Sequence, residues 1–273
     1  MSKIDTYQNE LHKIISEILS SKKDDKLINY LTSHSNLPSP RGNLELANTF
    51  SQVISELSSK EMEQIWDICL RFVKISAKEA PVNDPKEFLT FCGVIGIGVI
   101  GSANDNLTLK ALNLLKKSAE DSRWRTREAV AQALTKIIRR EPELARDELK
   151  TWIGKDNWLI MRAVAAGIAD PEILRENGEL AEFGLDLHSE IFKRVLQSTN
   201  RQSDEFKVLK KGLAYTLSVV VAAIPGRGFE MIENLIFIDD VDITWIVRQN
   251  LNKNRLKRDY SKRIDQIKKK IDL

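Results

Sequence analysis

The chain is poor in the residues that build disulfide scaffolds, metal clusters and tight-turned sheets: 273 residues carry two cysteines, three histidines, seven prolines and twelve glycines. Cys69 and Cys92 stand far apart, each at an apolar-patterned position. That excludes a stapled framework and reads as two buried, reduced thiols. His12, His34 and His188 are isolated, and neither Cys–Cys nor His–Glu–His ligand spacing occurs, so no metal is expected. No cofactor is expected either. Gly96-Ile97-Gly98-Val99-Ile100-Gly101 matches G-x-G-x-x-G, but the chemistry of that motif needs a preceding strand and a helix that opens within the glycines. The run ends instead in the turn-like Ser102-Ala103-Asn104-Asp105-Asn106, so the glycines read as close-approach points of a buried helix. Ser218 lacks the Gly-x-Ser-x-Gly elbow of a hydrolase nucleophile.

Long apolar runs are scarce as well. The longest uncharged stretch, Phe88 to Asn104, is short of the ~20 apolar residues of a membrane span. The start of the chain has no basic segment followed by an apolar one, which points to a cytoplasmic protein away from membranes. Alternating strand patterns and Asn-Gly hairpin turns are missing. Net charge is only +3, yet nine Lys or Arg against three Asp fall between Asn250 and Leu273, which leaves the rest slightly acidic at +3 − 6 = −3.

What the sequence does have is apolar residues three and four apart almost throughout, the mark of amphipathic helices. Ile4–Ile18 and Leu27–Leu31 stripe the first two, and Leu37-Pro38-Ser39-Pro40-Arg41-Gly42 breaks the pattern as a rigid loop. Leu46–Leu57 and Met62–Val73 follow as two helices. Asp84 is a candidate N-cap for a helix entering at Pro85, apolar all round and hence central. Later segments read as Leu107–Ala119 with Trp124–Arg139, Pro142–Ile153 with Asn157–Ala169, and Glu179–Phe183 with Ile191–Leu196. The last are Phe206–Ile224, Phe229–Ile238, Ile243–Leu251 and a polar helix from about Tyr260.

One phrase returns along these helices. Asp121, Trp124 and Arg127 are echoed by Asp156, Trp158 and Arg162 and again by Asp240, Trp245 and Arg248. A degenerate copy, Asp204 with Lys210 or Lys211 and Leu213-Ala214-Tyr215, fills the longer gap. Recurrence at roughly 35 to 48 residues signals helical-hairpin repeats. The runs Arg127-Glu128-Ala129-Val130-Ala131 and Arg162-Ala163-Val164-Ala165-Ala166 resemble the second helix of a HEAT repeat, an armadillo-like module. The resemblance implies an all-α fold, a right-handed α-solenoid of about five to seven HEAT-like hairpins. It also implies a ladder of aspartates and arginines along the inner helices: Asp121, Arg127, Asp156, Arg162, Asp240 and Arg248. The expected organisation is one repeat domain over 1–256, degenerate over 1–104 and clearer over 105–256, closed by a basic capping helix over 257–273. Leu37-Pro38-x-Pro40-Arg41-x-Asn43-Leu44-Glu45-Leu46, Arg123-Trp124-Arg125-x-Arg127-Glu128-Ala129 and Trp245-Ile246-Val247-Arg248-x-Asn250-Leu251-x-Lys253 are similar to a group of uncharacterised prokaryotic HEAT-repeat proteins, a likeness that carries no activity with it.

The ladder leaves Arg123, Trp124, Arg125, Trp158 and Trp245 as candidates for a binding face. The reading is a non-enzymatic scaffold that uses its concave surface for a protein partner, its oligomeric state unread. The alternative is a duplex-DNA binder. HEAT-like alkylpurine DNA glycosylases, to which the chain is more distantly similar, cup DNA with Trp and Arg side chains and an inner-helix aspartate. The nearest match to that aspartate is Asp67 in Trp66-Asp67-Ile68-Cys69-Leu70, where Leu70 replaces a second acid.

Overall fold

Glycine spacing in the uncharged run decides how the first half of the molecule packs. The computed structural model describes residues 2–21, 23–154 and 157–271, without the side chains of 58–60 and 271. Among the described residues it is all-α, with fourteen helices and no strand. In the first half these are α1 Lys3–Ser21, α2 Asp25–Ser33, α3 Leu44–Val73, α4 Glu87–Ala103, α5 Asp105–Ser118 and α6 Trp124–Arg140. Helix α4 is buried from Glu87 to Gly101 and is embraced by α3, α5 and α6. A Cβ on Gly96 would lie 2.4 Å from Cys69 Sγ, one on Gly98 2.4 Å from Ala133 Cβ, and one on Gly101 2.4 Å from Ala111 Cβ. The three glycines therefore seat α3, α6 and α5 in turn against one backbone. The G-x-G-x-x-G spacing is helix packing, as its missing strand implied.

The two expected helices, Leu46–Leu57 and Met62–Val73, are the two limbs of α3, which meet at a kink where Glu61 leaves helical geometry (φ −126, ψ 38). Asn43 caps α3 by accepting from the Leu46 amide, and its Nδ2 donates to Tyr7 Oη at 2.9 Å and to the His34 carbonyl at 2.8 Å. One buried amide thus ties α1, the 34–43 loop and α3 together. Asp84 does not cap α4. Its Oδ1 accepts from the Lys86 amide, and the helix starts at Glu87.

The second half contains α7 Pro142–Ile153, α8 Trp158–Ile168, α9 Pro171–Glu176, α10 Gly178–Gln197, α11 Asp204–Ala223, α12 Pro225–Leu235, α13 Val241–Leu251 and α14 Asn254–Ile271. The 179–183 and 191–196 segments are one helix, α10. The short α9 has no counterpart in the periodicity, because six residues are too few to show a period. The terminal helix starts at Asn254 and bends at Tyr260 (φ −132, ψ 27), so only its second limb was legible.

Contacts divide the chain into two compact units, Met1–Glu141 and Pro142–Leu273, a boundary that falls inside the expected 1–256 domain. The second unit has the repeat in plain form. Hairpins α7/α8, α10/α11 and α12/α13 stack so that α8, α11 and α13 pack in succession as one layer, while α14 closes against α11 and α13. The basic 257–273 segment is thus part of the unit. Asn250, fully buried, locks α13 to α11. Its Oδ1 accepts from the Ser218 amide at 2.7 Å, and its Nδ2 donates to the Leu213 carbonyl at 2.9 Å. No helix among the described residues is long and apolar enough to cross a membrane.

Candidate binding face

Arg123 and Arg125 were expected on an exposed face. Both are buried, at 1% and 3% exposure. Arg123 spends every donor of its guanidinium inside the first unit. Nε and Nη2 grip both oxygens of Asp121 at 2.9 and 2.7 Å, Nη2 also reaches the Ile75 carbonyl, and Nη1 donates to the Ala80 carbonyl and Thr90 Oγ1. It fastens the 75–80 connection to the start of α6, and five satisfied donors make a buried guanidinium tolerable. Arg125 donates to Glu87 Oε2 at 2.9 Å, Asn83 Oδ1 at 2.9 Å and the Ser39 carbonyl at 2.5 Å. The Glu87 carboxylate has 0% exposure. This ion pair holds the Pro-rich loop down on α4. Trp124 covers it, 43% exposed, with the Arg125 guanidinium 4.4 Å from its ring centre.

Trp158 is likewise buried. Its indole N–H donates to the Asn200 carbonyl at 3.1 Å and its ring meets Phe206 edge-on at 5.4 Å, so it staples α8 to α11. Of the five face candidates only Trp124 and Trp245, the latter 37% exposed, keep a surface. Arg123, Arg125 and Trp158 are structural, and the duplex reading loses three of its five contacts with them. Asp67 is an exposed residue of α3.

At Asp121 and Asp240 the carboxylates take other arginines than the expected ladder assigns. Asp121 binds Arg123, while Arg127, half-buried, donates from Nη1 to the Asp121 and Ser122 carbonyls at 2.6 and 2.9 Å. Asp156 lies outside the described residues. Asp240 caps α13 by accepting from the Asp242 and Ile243 amides, and its carboxylate pairs with Arg201. Burial raises that carboxyl's pKa, but the Arg201 bond and the two amides outweigh it and hold it below the ordinary range. Arg162 is half-buried against Gly212, where a Cβ would stand 3.2 Å from its Cγ, and Arg248 is exposed. Spacings of three and four reach one edge of an apolar face as readily as its centre, since each residue turns about 100°. That is why Arg248, three residues before buried Leu251, still faces outward.

These placements define a different surface in the second unit, on the outward side of the α8–α11–α13 layer. Helix α11 presents Lys211 and Tyr215 there, the latter 49% exposed, and α13 presents Trp245 and Arg248. Both rings are braced. Lys210 Nζ sits 4.7 Å above Trp245 and is fixed by Asp242 Oδ1 at 2.6 Å. Arg255 stacks 4.7 Å from the Tyr215 ring centre and donates to its Oη at 2.7 Å. Of this set the sequence named Trp245 as a face candidate and Arg248 as a ladder member, and the degenerate copy held Lys210, Lys211 and Tyr215. Arg201, in the connection before α11, and Arg255, in the first turn of α14, carried no periodic signal.

The chemically versatile groups elsewhere are committed to structure. His188 is fully buried between α10 and α11. Because the Gly184 carbonyl can only accept, Nδ1 carries the proton and donates to it at 2.7 Å, and Nε2 accepts from Thr216 Oγ1 at 2.9 Å. Burial lowers its pKa from 6.5 to about 4, against a smaller opposing effect of the Gly184 bond. Cys69 and Cys92 are buried free thiols, and burial pushes the Cys69 thiol up to about 12. Ser218 Oγ donates to the Tyr215 carbonyl of its own helix.

No protein-family model and no curated protein matches the chain. Among solved structures it is similar to a designed armadillo repeat protein at 16% identity, over 82% of this chain and 98% of that one, with a TM-score of 0.33. An engineered protein solved as a structural-genomics target is similar at 16% identity over 94% of this chain and 100% of that one, TM-score 0.38. A second designed armadillo repeat protein, in complex with the peptide (KR)4, is similar at 16% identity over 82% and 98%, TM-score 0.29.

Proposed function

We propose that the protein is a non-enzymatic binding scaffold that holds a protein partner on the outward side of its α8–α11–α13 layer. The observation that carries this reading is the pair Tyr215 and Trp245, large exposed rings on the packed helices α11 and α13, each fixed by a cation instead of being free to fold back. Rigid aromatics with apolar faces lose little entropy on binding and are the side chains around which protein interfaces concentrate their affinity. Internal commitment of His188, Cys69, Cys92 and Ser218 supports a binding role over a catalytic one.

Selection of binders from a random peptide library, followed by affinity measurement against Tyr215→Ala and Trp245→Ala, tests the proposal. Selected peptides should lose at least tenfold in affinity for each variant. Peptides indifferent to both substitutions, or a library that yields no binder, would overturn it.

A further inference from the structure

Helices α7 and α10 of the second unit enclose a cleft of about 530 Å³, inside the range of about 300–1,000 Å³ typical of small-molecule sites. Its floor is apolar, formed by the buried side chains of Ile153, Phe183 and Leu187. Two cations of α7 stand over that floor. The Arg146 guanidinium lies 5.4 Å from the Phe183 ring centre, and Lys150 Nζ lies 5.8 Å from it. Four residues apart, the two share one face of the helix, where like charges repel.

The protein's own carboxylates match neither cation well. Lys150 is exposed and makes no ion pair among the described residues. Arg146 reaches Glu143 at 3.5 Å and Glu179 at 3.8 Å, both loose contacts to exposed side chains, and its Nε is buried without an acceptor. A buried N–H left without an acceptor is costly, and few native structures carry one without a reason. Acids on the α10 wall are taken elsewhere. Glu182 and Asp186 pair with Arg227 of α12, and Glu190 pairs with Arg194 at 3.2 Å.

We infer that this cleft binds a small organic monocarboxylate with a compact apolar or aromatic body. The carboxylate accepts from Arg146 Nε and Lys150 Nζ, which supplies the missing acceptor and relieves the repulsion between the two cations. The body lies on Phe183 and runs towards Ile153 and Leu187, about one turn further along α7 and α10. The α10 wall limits the ligand to a single negative charge. Glu179, Glu182, Asp186 and Glu190 all line the cleft, so a phosphate dianion meets like charge where one carboxylate needs only the α7 edge. An ammonium in the same place meets Arg146 and Lys150 and is repelled. The site lies on α7 and α10, apart from the helices that carry Tyr215 and Trp245, and it does not depend on the partner-binding reading.

The test is isothermal titration calorimetry with the full-length protein and four probes that share one body: phenylbutyrate, phenylbutyramide, phenylbutylamine and phenylbutyl phosphate. Phenylbutyrate should bind with a Kd below about 1 mM, at least tenfold more tightly than the amide, the amine or the phosphate. Lys150→Gln removes an exposed charge and is compatible with folding, while Arg146→Lys keeps the charge and removes Nε. Each should weaken phenylbutyrate at least fivefold, with circular dichroism unchanged. Lys257→Gln, an exposed cation of α14, should leave the affinity as it is. Amide, amine or phosphate binding as tight as that of phenylbutyrate overturns the inference. So does an affinity that survives both α7 substitutions, or phenylbutyrate that does not bind at all.

Discussion

A methyl group added to Gly98 tests the packing logic of the first unit most directly, because two effects of opposite sign compete at one site. Alanine is favoured over glycine inside a helix by about 1 kcal/mol, and Gly98 has an ordinary helical backbone without positive φ. The added Cβ, however, would lie 2.4 Å from Ala133 Cβ, 2.6 Å from its Cα and 3.0 Å from its carbonyl oxygen. Every neighbour is backbone or the first side-chain atom, so no rotamer change relieves the clash. Restoring an ordinary contact of 3.4 Å requires 3.4 − 2.4 = 1.0 Å of separation between α4 and α6. A gap of about 0.5–1 Å forfeits a quarter to a half of each dispersion well along the interface. Overpacking of this kind costs about 1–3 kcal/mol, and immovable neighbours place Gly98→Ala at or beyond the upper end. The expected net loss is about 2 kcal/mol. Gly226→Ala is the control: it is also helical, but its Cβ would meet nothing within 4 Å, so it should be neutral or slightly stabilising. Urea unfolding followed by circular dichroism reads both. With slopes of about 1–3 kcal/mol per molar, the Gly98→Ala midpoint should fall by about 1 M while that of Gly226→Ala holds. A Gly98→Ala midpoint equal to or above wild type would refute the close-packing account of α4.

Further expectations concern buried polar groups. Arg125→Met leaves the Glu87 carboxylate buried without its cation and should cost about 3–5 kcal/mol, whereas Arg125→Met with Glu87→Leu should recover most of that loss. A double variant no better than the single would show that the pair is not what holds the Pro-rich loop. His188 has a folded pKa near 4 against 6.5 unfolded, so only the unfolded chain takes up its proton between those values. Its contribution is complete above about pH 6.5 and falls by about 3 kcal/mol as pH drops towards 4. NMR should find the ring neutral at pH 5.5, and a His188 that titrates above pH 6 would contradict its burial. Burial and a thiol pKa near 12 make Cys69 unreactive in the native state, so Ellman's reagent should label it only at the rate of unfolding. Rapid labelling in buffer would count against that placement.

Legibility in the sequence followed physical locality. Helices α5, α6, α7, α8, α11 and α13 appear close to where apolar spacing puts them, because each buries one continuous stripe that repeats with the helical turn. The two limbs of α3 were legible as separate helices because Glu61, at non-helical φ and ψ, kinks the chain between their apolar stripes. The return of Asp, Trp and Arg was visible as a repeat, but equivalent positions do different work. Trp158 is sealed under Phe206 while Trp245 is open. Asp121 grips the arginine two residues on, while Asp240 takes Arg201 from a distant connection. No local pattern distinguishes these, since each depends on what the neighbouring helix brings opposite.

The sequence by itself determined the all-α class, the hairpin rhythm and the central place of α4, because helix propensity and apolar period act within a few residues. Only tertiary structure decided which charges and rings are spent inside. Arg123 and Arg125 look like surface cations in sequence and become buried anchors, since neighbouring Asp121, distant Glu87 and five backbone or side-chain oxygens from other segments converge on them. Tyr215, in the weakest copy of the repeat, becomes exposed and braced because α14 delivers Arg255 to it. Burial of a charge is settled by partners that are far away in the chain, and those are present only once it has folded.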